Sequence, residues 1–110
     1  MELQQVIEQL KQLAKQSPTK EICGVIDNNF GIHPITNVAK NASTCFIFSK
    51  REYFTLMKKF KEEGNKVLFI YHSHPSGYVT PSKADLDYTD RSGIPQIIVS
   101  TKNYSVVKNG

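Results

Sequence analysis

The sequence predicts an α/β domain in three layers, with helices on a mixed or largely antiparallel sheet. Helical and strand-like segments follow the order α, several β, α, β, α, β, β, which suits a sandwiched sheet. Val67 to Tyr71 (VLFIY) is the most apolar and β-prone run and reads as a buried strand. At least one hairpin is marked, by Asp27-Asn28-Asn29-Phe30-Gly31 between two apolar runs. At 110 residues the chain can bury one modest core, so a single domain over residues 1–110 is expected.

Taken in order, Met1 to Gln16 places Leu3, Val6, Ile7, Leu10, Leu13 and Ala14 at helical spacing, with one stripe to bury. Ser17-Pro18 ends it, because proline disfavours a helical residue before it. Glu21 to Ile26 (EICGVI) reads as the first strand, and Ile32 to Val38 returns antiparallel, with Pro34 pointing to an edge or bulge. Asn41-Ala42-Ser43 is loop text, and Cys45 to Phe48 a short apolar strand. Ser49 and Glu52 form a capping-box pattern opening a helix that carries Tyr53, Leu56, Met57 and Phe60 on one face and stops at Gly64. After the Val67 strand comes a His-rich loop, then a helix from about Lys83 to Arg91, ended by Gly93 and Pro95. Gln96 to Ser100 and Tyr104 to Val107 are the last strands.

The composition, 39% apolar and 22% charged, is that of an ordinary globular protein. No run is long enough to span a bilayer, and the N-terminus is too rich in Gln, Glu and Lys for a signal peptide, so a cytoplasmic protein is expected, without a membrane partner. Six of the fourteen basic residues (Lys50, Arg51, Lys58, Lys59, Lys61, Lys66) lie in or beside the second helix, interleaved with Glu52, Glu62 and Glu63. Such a face can touch phosphates, but it reads first as a solvated surface, and no nucleic-acid partner is expected. Cys23 and Cys45 are read as reduced, buried thiols.

The chemistry gathers between Tyr71 and Asp85, YHSHPSGYVTPSKAD. Residues i and i+2 of an extended segment point the same way, so His72 and His74 leave the strand end side by side. Asp85 can return after ten intervening residues to complete a triangle. Two imidazoles and a carboxylate are a usual ligand set for catalytic zinc, with a further position for water. Asp85 also has a structural reading, as the carboxylate of a Ser82–Asp85 capping box, and the two are compatible. Asp87 and Asp90 are competitors further along the helix. Ser82 is an N-cap that could also donate its hydroxyl to a developing oxyanion; a Ser–His nucleophile is disfavoured, since neither histidine could both bind metal and act as base. His33 is left as a loop or edge residue. From spacing alone Glu21 is an ordinary strand-start acid.

Glu21-Ile22-Cys23-Gly24-Val25, followed by His72-Ser73-His74-Pro75, Pro81-Ser82 and Asp85, resembles the JAMM (MPN-plus) zinc metallopeptidases. Every position of that pattern, a glutamate, H-x-H-P and S-x-x-D, is filled, and the likeness runs from about Glu21 to Val99. The resemblance implies a cytidine-deaminase-like α/β/α architecture, one zinc per chain held by His72, His74 and Asp85, Glu21 as general base and acid, and Ser82 as oxyanion stabiliser. It implies hydrolysis of a peptide or isopeptide bond in a protein or peptide substrate. The text is most similar to the compact prokaryotic and phage branch, through EICGV, Asn37-Val38-Ala39 with Phe46 after it, HSHPSG, PSKAD and RSGIPQIIVS. Phage tail-assembly peptidases of that branch often carry a second, NlpC/P60 domain, and the chain is read as a stand-alone domain or one piece of such a protein. Tail-protein maturation, a ubiquitin-like or sulfur-carrier tail and a cell-wall-linked peptide are all open as substrates. A non-hydrolytic scaffold on the same fold is the alternative, disfavoured because such relatives usually lose a ligand or the glutamate. A zinc deaminase would want a PCxxC ligand pair that Cys23 and Cys45 do not form.

Overall fold

A computed structural model describes residues 2–108; Met1, included in the expected first helix, lies outside the described residues. Three helices, α1 (Leu3–Lys15), α2 (Lys50–Glu63) and α3 (Lys83–Ser92), pack on five strands, β1 (Cys23–Asp27), β2 (Ile32–Ile35), β3 (Val67–Ser73), β4 (Gln96–Val99) and β5 (Tyr104–Val107). The sheet order is β2-β1-β3-β4-β5, antiparallel throughout except for the parallel pair β3–β4. The sheet is therefore mixed, with β3 at its centre.

Because side chains alternate along each strand, the sheet has two faces of different character. On one, α1 lays Val6, Ile7, Leu10 and Ala14 against Ile26, Phe69, Tyr71, Ile97 and Val99, an aliphatic and aromatic core. On the other, α2 seats Phe60 over Val25 and Ile35, with Tyr53, Leu56 and Met57 around it. His72 and Gln96 share that second face with Ile70, as the β3–β4 register requires. Gly64 takes the left-handed φ of 72° that ends α2, where a Cβ would be strained. The six basic residues of the α2 region are all exposed, and no helix among the described residues is long and apolar enough to cross a membrane.

Several expectations need correction. The second strand stops at Ile35 rather than Val38, and Cys45 to Phe48 forms no strand, only an isolated bridge between Asn37 and Phe48. The Asn37 side chain is the reason: its Nδ2 donates to the Glu21 and Cys45 carbonyls, and its Oδ1 accepts from the Ala39 and Ile47 amides. A side-chain amide thus takes the place of ladder bonds. Cys45 is exposed, not buried, because it sits at the end of a turn, its thiol on the Asn41 carbonyl at 3.3 Å. Only half of the α2 capping box forms: Ser49 Oγ accepts from the Glu52 amide, while the Glu52 carboxylate instead accepts from the Thr36 amide at 2.9 Å. Conversely, β3 runs two residues past Tyr71, because β1 and β4 flank His72 on both sides.

Candidate metal centre

Each group reaches the centre by a local cause. His72 is held inside β3 between Cys23 and Ile98 and is completely buried, 0% exposed. His74 lies just beyond the strand, its amide on the Val99 carbonyl at 2.9 Å, so it keeps the strand's alternation and faces the same side. The loop then turns at Gly77, whose φ of 91° suits a residue without a Cβ. That turn returns the Tyr78 carbonyl to His74 Nδ1 at 2.9 Å.

The capping box of α3 is complete: Ser82 Oγ accepts from the Asp85 amide at 3.1 Å, and Asp85 Oδ2 accepts from the Ser82 amide at 2.9 Å. This fixes a carboxylate that is 7% exposed at the start of the helix. Its Oδ1 lies 3.3 Å from His72 Nε2 and its Oδ2 3.5 Å from His74 Nε2, while the two Nε2 atoms are 3.1 Å apart. Of the competing acids, Asp90 is exposed and Asp87 half-buried.

Glu21 precedes β1 rather than belonging to it. Its position is set by neighbours: its amide donates to the Ala42 carbonyl, Asn37 holds its carbonyl, and Ser73 clamps Ile22 through both its amide and its hydroxyl. The carboxylate is 5% exposed, and Glu21, His72 and His74 offer ligand atoms within 4.8 Å of one another. Burial pushes the Glu21 carboxyl up to about 7, with His74 pulling it down and Asp85 adding to the rise.

These atoms fit a cation. The Tyr78 carbonyl can only accept, so His74 Nδ1 carries the hydrogen and a neutral His74 turns its Nε2 lone pair inward. There it meets His72 Nε2 and an acceptor-only carboxylate, a group of atoms in which only His72 can supply a hydrogen and which a cation would satisfy together. Burial holds His72 toward its neutral form, the bond to Asp85 raises His74, and although burial alone would raise Asp85, its bonds to both rings hold it well below the carboxylate range. The donor set, imidazole nitrogen and carboxylate oxygen, is that of zinc sites. Cys23 stands apart from these groups, its Sγ donating to the Ile35 carbonyl at 3.3 Å, and burial pushes its thiol up to about 12.

The centre opens into a cleft of about 430 Å³ that Glu21, His74, Ser82 and Asp85 share with an apolar wall that includes Phe46, Phe48 and Tyr88. Phe46 stacks on His72, ring centroids 4.6 Å apart. Ser73, Phe46 and Gln96 were not singled out as site residues from the sequence. For Gln96 a signal existed, a lone polar residue in the strand Gln96–Val99 (QIIV); for Ser73 and Phe46 the contacts are long-range.

Comparison with known proteins identifies the family and the fold. The profile for prokaryotic homologs of the JAB domain matches residues 3–108. The chain belongs to the prokaryotic JAB-domain family. A protein of Thermus thermophilus, named a probable TtuB-protein conjugate cleaving protease, is 32% identical over 68 residues, 62% of this chain and 45% of that protein. The chain thus spans less than half the length of that relative. Among solved structures, a protein of Desulfitobacterium hafniense is similar with a TM-score of 0.71 at 21% identity, covering 93% of this chain and 77% of that one. A JAB1/MPN domain protein from Archaeoglobus fulgidus is similar with a TM-score of 0.57 at 22% identity, covering 94% and 82%. Both likenesses speak for the fold, and the JAB domain is the architecture expected above.

Proposed function

We propose that this JAB-domain protein is a zinc-dependent isopeptidase that releases a protein from a conjugate. The observation that carries the reading is the convergence of His72 Nε2, His74 Nε2 and the Asp85 carboxylate beside the buried Glu21, at the head of an open cleft. His72, His74 and Asp85 would hold the ion. When bound, zinc supplies Lewis acidity for a carbonyl and brings the pKa of water toward neutrality.

The remaining steps belong to the chain's own groups. Glu21 takes a proton from the attacking water and gives it to the leaving amine; a carboxyl with a pKa of about 7 can do both near neutral pH. The Ser82 amide and the Asp85 amide are already engaged in the capping box, and Ser82 Oγ uses only an acceptor site there. Its hydroxyl hydrogen is therefore the donor for the carbonyl oxygen as negative charge builds on it. The aromatic wall of the cleft excludes water from one side and takes the substrate chain.

The relative named for conjugate cleavage supports this choice of substrate class. Neither that relative nor the solved structures above are named for phage assembly, so a protein conjugate is proposed rather than a tail protein. The test is hydrolysis of a small ubiquitin-like protein joined through its C-terminus to a lysine side chain. Cleavage by the zinc-loaded protein, lost with a chelator and restored by zinc, is the expected result; a zinc-loaded protein that cleaves neither this bond nor a plain peptide bond would contradict it.

A further inference from the structure

We infer that Gln96 is a positioning residue for the metal centre, setting Asp85 through its amide nitrogen and the His72 ring through its amide oxygen. The inference rests on the reading of His72 and Asp85 as metal-holding groups. Gln96 is the first residue of β4, a strand otherwise of Ile and Val, and it is 0% exposed. A primary amide at such a position is unfavourable unless its polar atoms are bonded. Its Nε2 donates to the Asp85 carbonyl at 2.7 Å and to Thr89 Oγ1 at 2.9 Å. The Asp85 carbonyl can only accept, which fixes which end of the amide is the nitrogen. One side chain of the central sheet therefore holds the first turn of α3 at two points, and it is from this turn that the Asp85 carboxylate reaches both imidazoles.

The other end of the amide carries the second half of the inference. Among the described residues, two buried side-chain polar atoms have no hydrogen-bond partner, Gln96 Oε1 and His72 Nδ1. They are complementary, an acceptor and a ring nitrogen that must carry hydrogen when Nε2 faces a cation. They are also neighbours: Ile70 pairs with Gln96 and His72 with Ile98, so His72 and Gln96 stand diagonally on one face of adjacent strands. A histidine that binds metal through one nitrogen nearly always donates from the other, to a carboxylate, a carbonyl or a water. Gln96 Oε1 is the unpartnered buried acceptor on the same face, the partner to which a metal-bound His72 would turn its Nδ1–H. The same glutamine lines the cleft, and its Nε2 ties the turn that carries Asp85 to the strand beside His72.

The test compares wild type, Gln96→Leu and Gln96→Met for zinc affinity by chelator competition and for the His72 Nδ1–H resonance in the zinc-loaded protein. Both variants are expected to lose about 10–100-fold in affinity, as outer partners of metal ligands do. The resonance is expected to exchange slowly in wild type and to shift or broaden in both variants. Wild-type affinity with an unchanged resonance in either folded variant overturns the role of Gln96 and leaves the zinc reading standing. Should both variants fail to fold, the wild-type resonance decides alone: exchange at the rate of a free imidazole overturns the proposal. A wild type that binds no zinc overturns the functional reading, and this inference with it.

Discussion

At the edge hairpin, His33 Nε2 lies 2.8 Å from Asp27 Oδ2; at the centre of the sheet, His72 Nε2 lies 3.3 Å from Asp85 Oδ1. The residue types are the same, but the surroundings differ. Asp27 Oδ1 accepts from the Asn29 and Gly31 amides, tying the turn, and the His33 ring rests edge-on against Phe60. Burial alone would raise the Asp27 carboxyl, yet the bonds from His33 and from those amides hold it low. Both Asp27 oxygens have their donors, and the pair is closed. At the centre a second imidazole, fixed as an acceptor by the Tyr78 carbonyl, is added, and the acceptors outnumber the donors. What marks a metal site is this deficit of donors, rather than the presence of histidine and aspartate.

The largest expected effect separates chemistry from binding at the centre. Glu21→Gln should retain zinc and lose about 10²–10⁴-fold in turnover; near-wild-type cleavage would remove Glu21 as the base. Ser82→Ala should keep zinc, lose about 1 kcal/mol of stability with the helix cap, and fall about 10²-fold in kcat with KM little changed. A loss of stability alone, with kcat and KM unchanged, would assign Ser82 to the cap only. At the closed pair, Asp27→Ala should cost about 1–3 kcal/mol in thermal unfolding, through amides left without partners, and leave zinc content untouched. Zinc lost along with stability would mean that the two pairs are not independent.

The smallest effect is one of pH. The folded-state pKa of Glu21 is raised from 4.5 to about 7, so its ionisation opposes folding. Its contribution is favourable below pH 4.5 and is lost as the pH rises through about 7. In zinc-stripped protein, Glu21→Gln should therefore match wild type in acid and become more stable by about 1–2 kcal/mol above neutrality. A difference that does not change with pH would place the carboxyl in contact with solvent.

How much of this was legible depended on whether the deciding contact is local. VLFIY and Tyr104 to Val107 declared themselves through β-branched and aromatic density, and both are strands. The Ser82–Asp85 box is local, spans one helical turn, and formed as the pattern requires. Cys45 to Phe48 has the same kind of apolar text as a strand, but Asn37, eight residues from Cys45, decides otherwise with its side chain. Glu52 follows the same rule, leaving its cap for Thr36, sixteen residues away. The H-x-H spacing correctly put both imidazoles on one side of a strand. That Glu21 lies beside them, held through Ser73 at a separation of 51 residues from Ile22, is a matter of tertiary pairing that spacing does not contain; there the family pattern supplied what local physics did not.

The central claim is that the donor deficit at His72, His74 and Asp85 is met by a zinc ion, whereas the His33–Asp27 pair needs none. Elemental analysis of His74→Ala beside His33→Ala tests it most directly. The account predicts about one zinc per chain in His33→Ala, as in wild type, and nearly none in His74→Ala. Equal zinc in the two variants, or zinc following His33, would contradict it.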